Sequence, residues 1–116
     1  AALRKCAVPF GVNTLAQVAA VASLEARDQL MVRVDSIVAE RSRVVAGLAE
    51  QGWKLAPSEA NFVWFPLGAD SGPFAAACEA AGLMVRRYGD DGVRVTIGEP
   101  EANTRFLQVC RAFTPR

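Results

Sequence analysis

The stretch Gly89-Asp-Asp-Gly92 followed by Val93-Arg94-Val95-Thr96-Ile97 restricts the fold more than any other part of the chain. Glycines flanking two aspartates are a strong tight-turn signal, and β-branched residues alternating with polar ones mark a strand with one buried face. Together with Leu83–Tyr88 this predicts a β-hairpin. If the aliphatic face of Val93–Ile97 meets a layer of helices, Arg94 and Thr96 point away from it, because side chains alternate across a strand. Leu83 and Val85 should share the aliphatic face, which sets Val85 opposite Val95 and Arg86 opposite Arg94. That pairing needs an odd loop, such as a three-residue turn with a glycine bulge. A two-residue turn at Asp90-Asp91 would instead put Arg87 opposite Arg94 and mix aliphatic and basic residues on both faces. The odd loop is the reading adopted here.

Either register brings two guanidiniums together across the hairpin, and like charges directly opposed are destabilising. A bound anion turns that cost into a binding site, since arginine offers a planar fork matched to carboxylate or phosphate. The alternative is that both arginines splay into water or meet Asp90, Asp91, Glu99 or Glu101.

Upstream, Asn13 or Thr14 can cap a helix whose residues 14–26 are apolar almost all round, so it expects cover on more than one side. Residues 28–50 predict an amphipathic helix, with Leu30, Val34, Ile37, Val38, Val44, Val45 and Leu48 on one stripe, Arg41 breaking it and Gly52 ending it. Asn61-Phe-Val-Trp-Phe65, between Pro57 and Pro66, predicts a strand buried on both faces. Ser71-Gly-Pro73 offers a cap and an early-helix proline for a short helix that Gly82 stops. A last helix starts at Pro100 and should bury Phe106, Leu107, Cys110 and Phe113. The expected fold is α+β: a small antiparallel sheet of about three strands with helices packed on one face.

Composition narrows the chemistry. Thirteen basic residues against twelve acidic ones leave a net charge of +1, so nothing favours nucleic acid or an anionic membrane as partner. No apolar run reaches the roughly 18 residues of a membrane span, and no basic-then-apolar pattern of the kind a leader would show is expected here. The absence of histidine removes the commonest general base and metal ligand, and with them every Ser-His or Cys-His arrangement. Cys6, Cys78 and Cys110 are too few and too far apart for a zinc site or disulfide framework, which points to the reducing cytoplasm, with Cys78 and Cys110 as core hydrophobes. No metal site is expected, because a turn explains Asp90 and Asp91. Trp53 and Trp64 read as core or domain-interface residues. The chain opens Ala-Ala-Leu-Arg-Lys without an initiator Met and reads as part of something longer.

Three segments carry a family resemblance: Phe10-Gly-Val-Asn-Thr-Leu-Ala-Gln17, Ser58-Glu-Ala-Asn-Phe62, and Gly92-Val-Arg-Val-Thr-Ile-Gly-Glu-Pro-Glu-Ala-Asn103. Their order and spacing resemble the C-terminal part of histidinol-phosphate aminotransferases, most nearly the aromatic, phenylalanine-type branch. The resemblance implies a fold-type I enzyme with a large domain that binds pyridoxal phosphate and a small C-terminal domain, the active site lying between them in a homodimer. Residues 1–116 would be the small domain, with 1–27 as the junction helix from the large one. Arg94 matches the arginine of the R-[IV]-[TS]-[VI]-G motif that grips the substrate α-carboxylate. Arg86 matches a second arginine near the distal end of the substrate or its carboxylate. Arg87 stands where relatives often carry proline, which leaves open which of Arg86 and Arg87 faces the site. Asn13 matches a position near the domain junction, with no contact assigned. The Schiff-base lysine, the aspartate at the pyridine nitrogen and the phosphate-binding residues lie upstream in such enzymes, so no catalytic or cofactor-binding residue is expected in this chain. Lys5 and Lys54 lack the setting that activates an amine. Amino acids and 2-oxo acids would be the substrates. A stand-alone module that binds an anion or amino acid without catalysis is the alternative, and a purely structural or dimerising fragment a third.

Overall fold

A computed structural model of the chain describes residues 10–113, so Arg4, Lys5, Cys6 and Pro9 fall outside it. The chain divides into two compact units, one up to Val34 and one from Asp35 onward. In the first, helix α1 (Thr14–Glu25) begins where the Asn13 side chain accepts a hydrogen bond from the Ala16 N–H at 2.9 Å, the expected cap. None of its residues is buried. Leu15, Val18, Val21 and Leu24 are 56–82% exposed.

Helix α2 (Arg27–Glu50) runs the predicted length, but only Val44 and Leu48 of its stripe are buried, while Leu30, Val34, Ile37, Val38 and Val45 remain exposed. It ends in a Schellman motif: the Gly52 N–H donates to Ala49 O and the Trp53 N–H to Leu48 O, with Gly52 at φ +89°. Arg41, the break in the stripe, donates to Ala60 O at 3.1 Å and to Glu59 Oε2 at 2.8 Å. It clasps the segment that leads into the first strand.

Three antiparallel strands follow: β1 (Phe62–Phe65), β2 (Arg86–Tyr88) and β3 (Gly92–Thr96), in the order β1-β3-β2. Between β1 and β2 a 3-10 turn (Gly68–Asp70) enters helix α3 (Ser71–Ala80), and helix α4 (Pro100–Ala112) closes the domain. Val63 and Phe65 from β1 and Val93 and Val95 from β3 join Val44 and Leu48 of α2, Phe74 and Cys78 of α3, and Phe106 and Cys110 of α4 in one core. Edge-to-face contacts of Phe65 with Trp53 (centroids 5.2 Å apart) and Phe106 (5.7 Å) tie its layers together. This is the expected α+β arrangement, with helices against one face of a three-stranded sheet.

Several details differ from the sequence reading. Strand β1 is buried on one face only: Val63 and Phe65 are inside, whereas Phe62 and Trp64 are half-buried on the side away from the core. An unbroken apolar run was therefore not the mark of a doubly covered strand. The second strand is limited to Arg86–Tyr88, although Leu83 and Val85 still lean against the core as expected. Ser71 is the first residue of α3 and not its cap, since the 3-10 turn already supplies the entry, and its hydroxyl is buried without a hydrogen-bond partner. Trp53 is a core-edge residue. Cys78 and Cys110 are free and buried, and burial pushes the Cys78 thiol up to about 11 and that of Cys110 further in the same direction. Both are inert hydrophobes at neutral pH.

Candidate functional site

The hairpin register is Arg86↔Arg94, Arg87↔Val93 and Tyr88↔Gly92, closed by the three-residue loop Gly89-Asp90-Asp91. On its other side β3 pairs Trp64 with Arg94 and Phe62 with Thr96. Alternation then assigns Phe62, Trp64, Arg86, Tyr88, Arg94 and Thr96 to the face opposite the core. The odd loop thus brings Arg86 and Arg94 to neighbouring positions on one face.

Arg87 goes the other way. Its Nη1 lies 3.1 Å from where a Cβ on Gly72 of α3 would stand, which puts it beside the helical layer. Its Nε donates to Gly89 O and its Nη2 pairs with Asp90 Oδ1, both at 2.8 Å. The turn acid that could have occupied an open-face arginine is spent on Arg87. Of the two adjacent arginines, Arg86 shares a face with Arg94.

Neither open-face arginine has an acid partner among the described residues. The Arg86 guanidinium carbon stands 5.0 Å from the ring centroid of Tyr88, and that of Arg94 stands 5.4 Å from the ring centroid of Phe62. The two cations lean toward rings in different cross-strand rows, which relieves their repulsion without a counter-ion. Arg94 is half-buried and its Nε is wholly buried with no hydrogen-bond partner. The Nε is sealed from outside, so an incoming acceptor would meet the two Nη groups, for which no hydrogen bond is formed among the described residues. Trp64 meets Tyr88 edge-on at 5.7 Å. A Cβ on Gly92 would strike the Phe65 carbonyl oxygen and the Trp64 indole, so glycine is what lets the ring settle there.

Two hydrogen-bonding residues that sequence reasoning missed hold this sheet in position. Arg41 fixes the Ser58–Asn61 approach to β1 from α2. Asn103, only 4% exposed, grips the exit of β3: its Oδ1 accepts from the Gly98 N–H at 2.9 Å, and its Nδ2 donates to Gly98 O and to Glu40 Oε2, both at 2.8 Å. Glu40 also receives Arg43, and the hydrogen bonds from Arg43 and Asn103 hold its carboxyl below the ordinary carboxylate value. The signals for Asn103 were its place at the end of the Gly92–Asn103 motif and a polar residue among the apolar positions of α4.

No group of three or more His, Cys, Asp or Glu placed to hold a metal occurs among the described residues. Nor is any helix there long and apolar enough to cross a membrane.

Comparison with known proteins bears on the family of the chain as a whole. The family model for aminotransferase class I and II matches residues 1–110. The chain is 60% identical to an aromatic amino acid aminotransferase of Streptomyces avermitilis and 57% identical to one of Streptomyces coelicolor, in each case over 97% of this chain. A similar relative from Thermobifida fusca is 54% identical over 99% of the chain. In all three the match spans 32% of the relative's length. A crystal structure of a candidate aminotransferase from Burkholderia pseudomallei superposes with a TM-score of 0.75 at 26% identity, over 96% of this chain and 35% of that one. A match over nearly the whole chain, both in sequence and in three dimensions, is more than a shared small α+β fold would produce: this chain belongs to the class I and II aminotransferase family.

Proposed function

We propose that the face of the sheet opposite the core is one wall of an aminotransferase active site for aromatic amino acids and their 2-oxo acids, with Arg94 gripping the substrate α-carboxylate. The observation that carries this reading is the half-buried guanidinium of Arg94, which has no acid partner among the described residues. The relatives' names supply the substrate class. Arg86, on the same face, would bind the distal end of the substrate or assist at its carboxylate.

Arg94 contributes recognition and orientation. Two parallel N–H···O bonds from a guanidinium fix both the position and the plane of a carboxylate, which leaves the α-carbon in one orientation. Pyridoxal phosphate, the cofactor of the proposed full-length enzyme, supplies the electron sink of transamination when bound. The described residues do not fit that group. Lys54, the one lysine among them, is exposed just beyond the end of α2, without the apolar surroundings that activate an amine. In this reading the chain is the small domain, residues 1–27 are its junction with a large cofactor-binding domain, the enzyme is a homodimer, and it works in the cytoplasm. The apolar surface of α1 supports the junction role, since such a helix is stable when covered.

Arg94→Ala in the full-length protein tests the reading. Loss of a charge-assisted, two-bond contact should lower kcat/KM for an aromatic amino acid by roughly 30- to 1,000-fold. Arg94→Lys should recover only part of it, because an ammonium lacks the planar fork. Unchanged kinetics in Arg94→Ala would remove the carboxylate role.

A further inference from the structure

The structure assigns to Phe62 the task of holding Arg94 in its carboxylate-binding pose, a positioning role that rests on the proposed function of Arg94. A guanidinium aimed at an anion needs something to hold it. The usual holder, an aspartate or glutamate, would accept from the same N–H groups that must reach the substrate, and would repel the substrate's charge. Here no acid pairs with Arg94 among the described residues, and the neighbour at its guanidinium is the ring of Phe62, 5.4 Å from centroid to Cζ. An aromatic face attracts the cation through its quadrupole and accepts none of the in-plane hydrogen bonds. It steadies the group and leaves its donors free.

The local structure is built to fix that ring. The Ser58 hydroxyl donates to Phe62 O at 2.6 Å, the Ile97 N–H donates to Asn61 O at 2.8 Å, and Arg41 clamps Ala60 O from α2. Phe62 itself pairs with Thr96, two residues beyond Arg94 on β3, so its ring lies diagonally across from the arginine. The Ser58-Glu-Ala-Asn-Phe62 motif thereby ends on a residue anchored at both its own carbonyl and the two preceding residues. The other two aromatic residues on the same face, Trp64 and Tyr88, pack against each other. Phe62 is left to Arg94.

The test uses the full-length protein and two probes that divide the substrate: 3-phenylpropionate, which has the carboxylate without the amine, and phenethylamine, which has the amine without the carboxylate. Phe62→Leu keeps an apolar residue and removes the ring. It should weaken phenylpropionate binding by about five- to tenfold and leave phenethylamine within about twofold, while Phe62→Trp, which keeps a π face, stays within about threefold of wild type for both. Equal weakening of both probes by Phe62→Leu would mark a merely structural residue and overturn the proposal, as would no weakening of either. Arg94→Ala in the same assay separates the two claims. If it spares phenylpropionate, the carboxylate reading itself has failed. If it weakens phenylpropionate while Phe62→Leu does not, only the role of Phe62 is lost.

Discussion

On the helix side of the sheet, Val63, Phe65, Val93 and Val95 are no more than 7% exposed and share one core with three helices. On the other side, Phe62, Trp64 and Arg94 come from alternate positions of the same two strands, Arg86 and Tyr88 come from β2, and all five remain partly or largely exposed. Both faces are rich in aromatic rings, yet they use them differently. Inside, Phe65, Phe74 and Phe106 pack against one another to exclude water. Outside, Phe62 and Tyr88 each lie under a guanidinium. The alternation of a strand therefore lets a few residues serve stability while their immediate neighbours stay available for the recognition proposed above. Apolar content alone does not tell the two apart.

Substitutions of adjacent β1 residues test that separation most directly. Phe65→Ala empties the centre of the core and should cost about 3–5 kcal/mol in urea unfolding of the chain. Trp64→Ala, one residue away on the open face, should cost about 1–2 kcal/mol, mainly its edge contact with Tyr88 and its packing over Gly92. Equal costs would mean that the open face is as much a core as the other. In that event its arginines would be structural cations.

A residue between the two regimes sharpens the picture. Asn103 belongs to the helix side, but its partner Gly98 lies two residues beyond the end of the strand that carries Arg94. Asn103→Ala leaves the Gly98 N–H and Glu40 without their partner and should destabilise the chain by about 1–3 kcal/mol. If the side chain is only a fastener of β3, Asn103→Asp should fare no better, since a carboxylate cannot donate to Glu40 and repels it. Urea midpoints for the two variants decide this. Wild-type stability in Asn103→Asp would show that the donated hydrogen bonds matter little.

What the sequence made legible follows from the range of the interactions. The Arg86–Arg94 pairing was readable because a period of two and a glycine-bounded turn are local patterns, and together they allow few registers. The cap at Asn13 and the glycine stop at Gly52 were readable for the same reason. Arg41 looked like a flaw in the α2 stripe because its acceptor, Ala60, is 19 residues away. Asn103 left only a faint mark because Glu40 is 63 residues away. The stripe of α2 and the apolar surface of α1 were visible as patterns, but a pattern states that a surface is apolar and not what covers it. Hence Leu30, Val34, Ile37 and Val38 were expected inside and are exposed among the described residues. The orientation of Arg87 was open because it depends on Gly72 in another helix.

The smallest expected effect concerns pH and lies at the rim of the helix side. Hydrogen bonds from Arg43 and Asn103 hold the Glu40 carboxyl below its ordinary value of 4.5, so the folded chain binds this proton less readily than the unfolded one. The resulting stabilisation is fully present above that ordinary value and is lost as pH falls through the lowered, folded-state value. Arg43 is itself 41% exposed, so water and salt screen the pair and the contribution should stay under about 1 kcal/mol. Glu40→Gln removes the titrating group while leaving an oxygen that can accept from Asn103. Urea midpoints for the two proteins should therefore differ slightly at pH 7 and converge as the pH drops below 4. A gap that stays constant from pH 7 to pH 3 would show that Glu40 acts by shape and hydrogen bonding alone, with its charge contributing nothing to the attachment of α4 to α2.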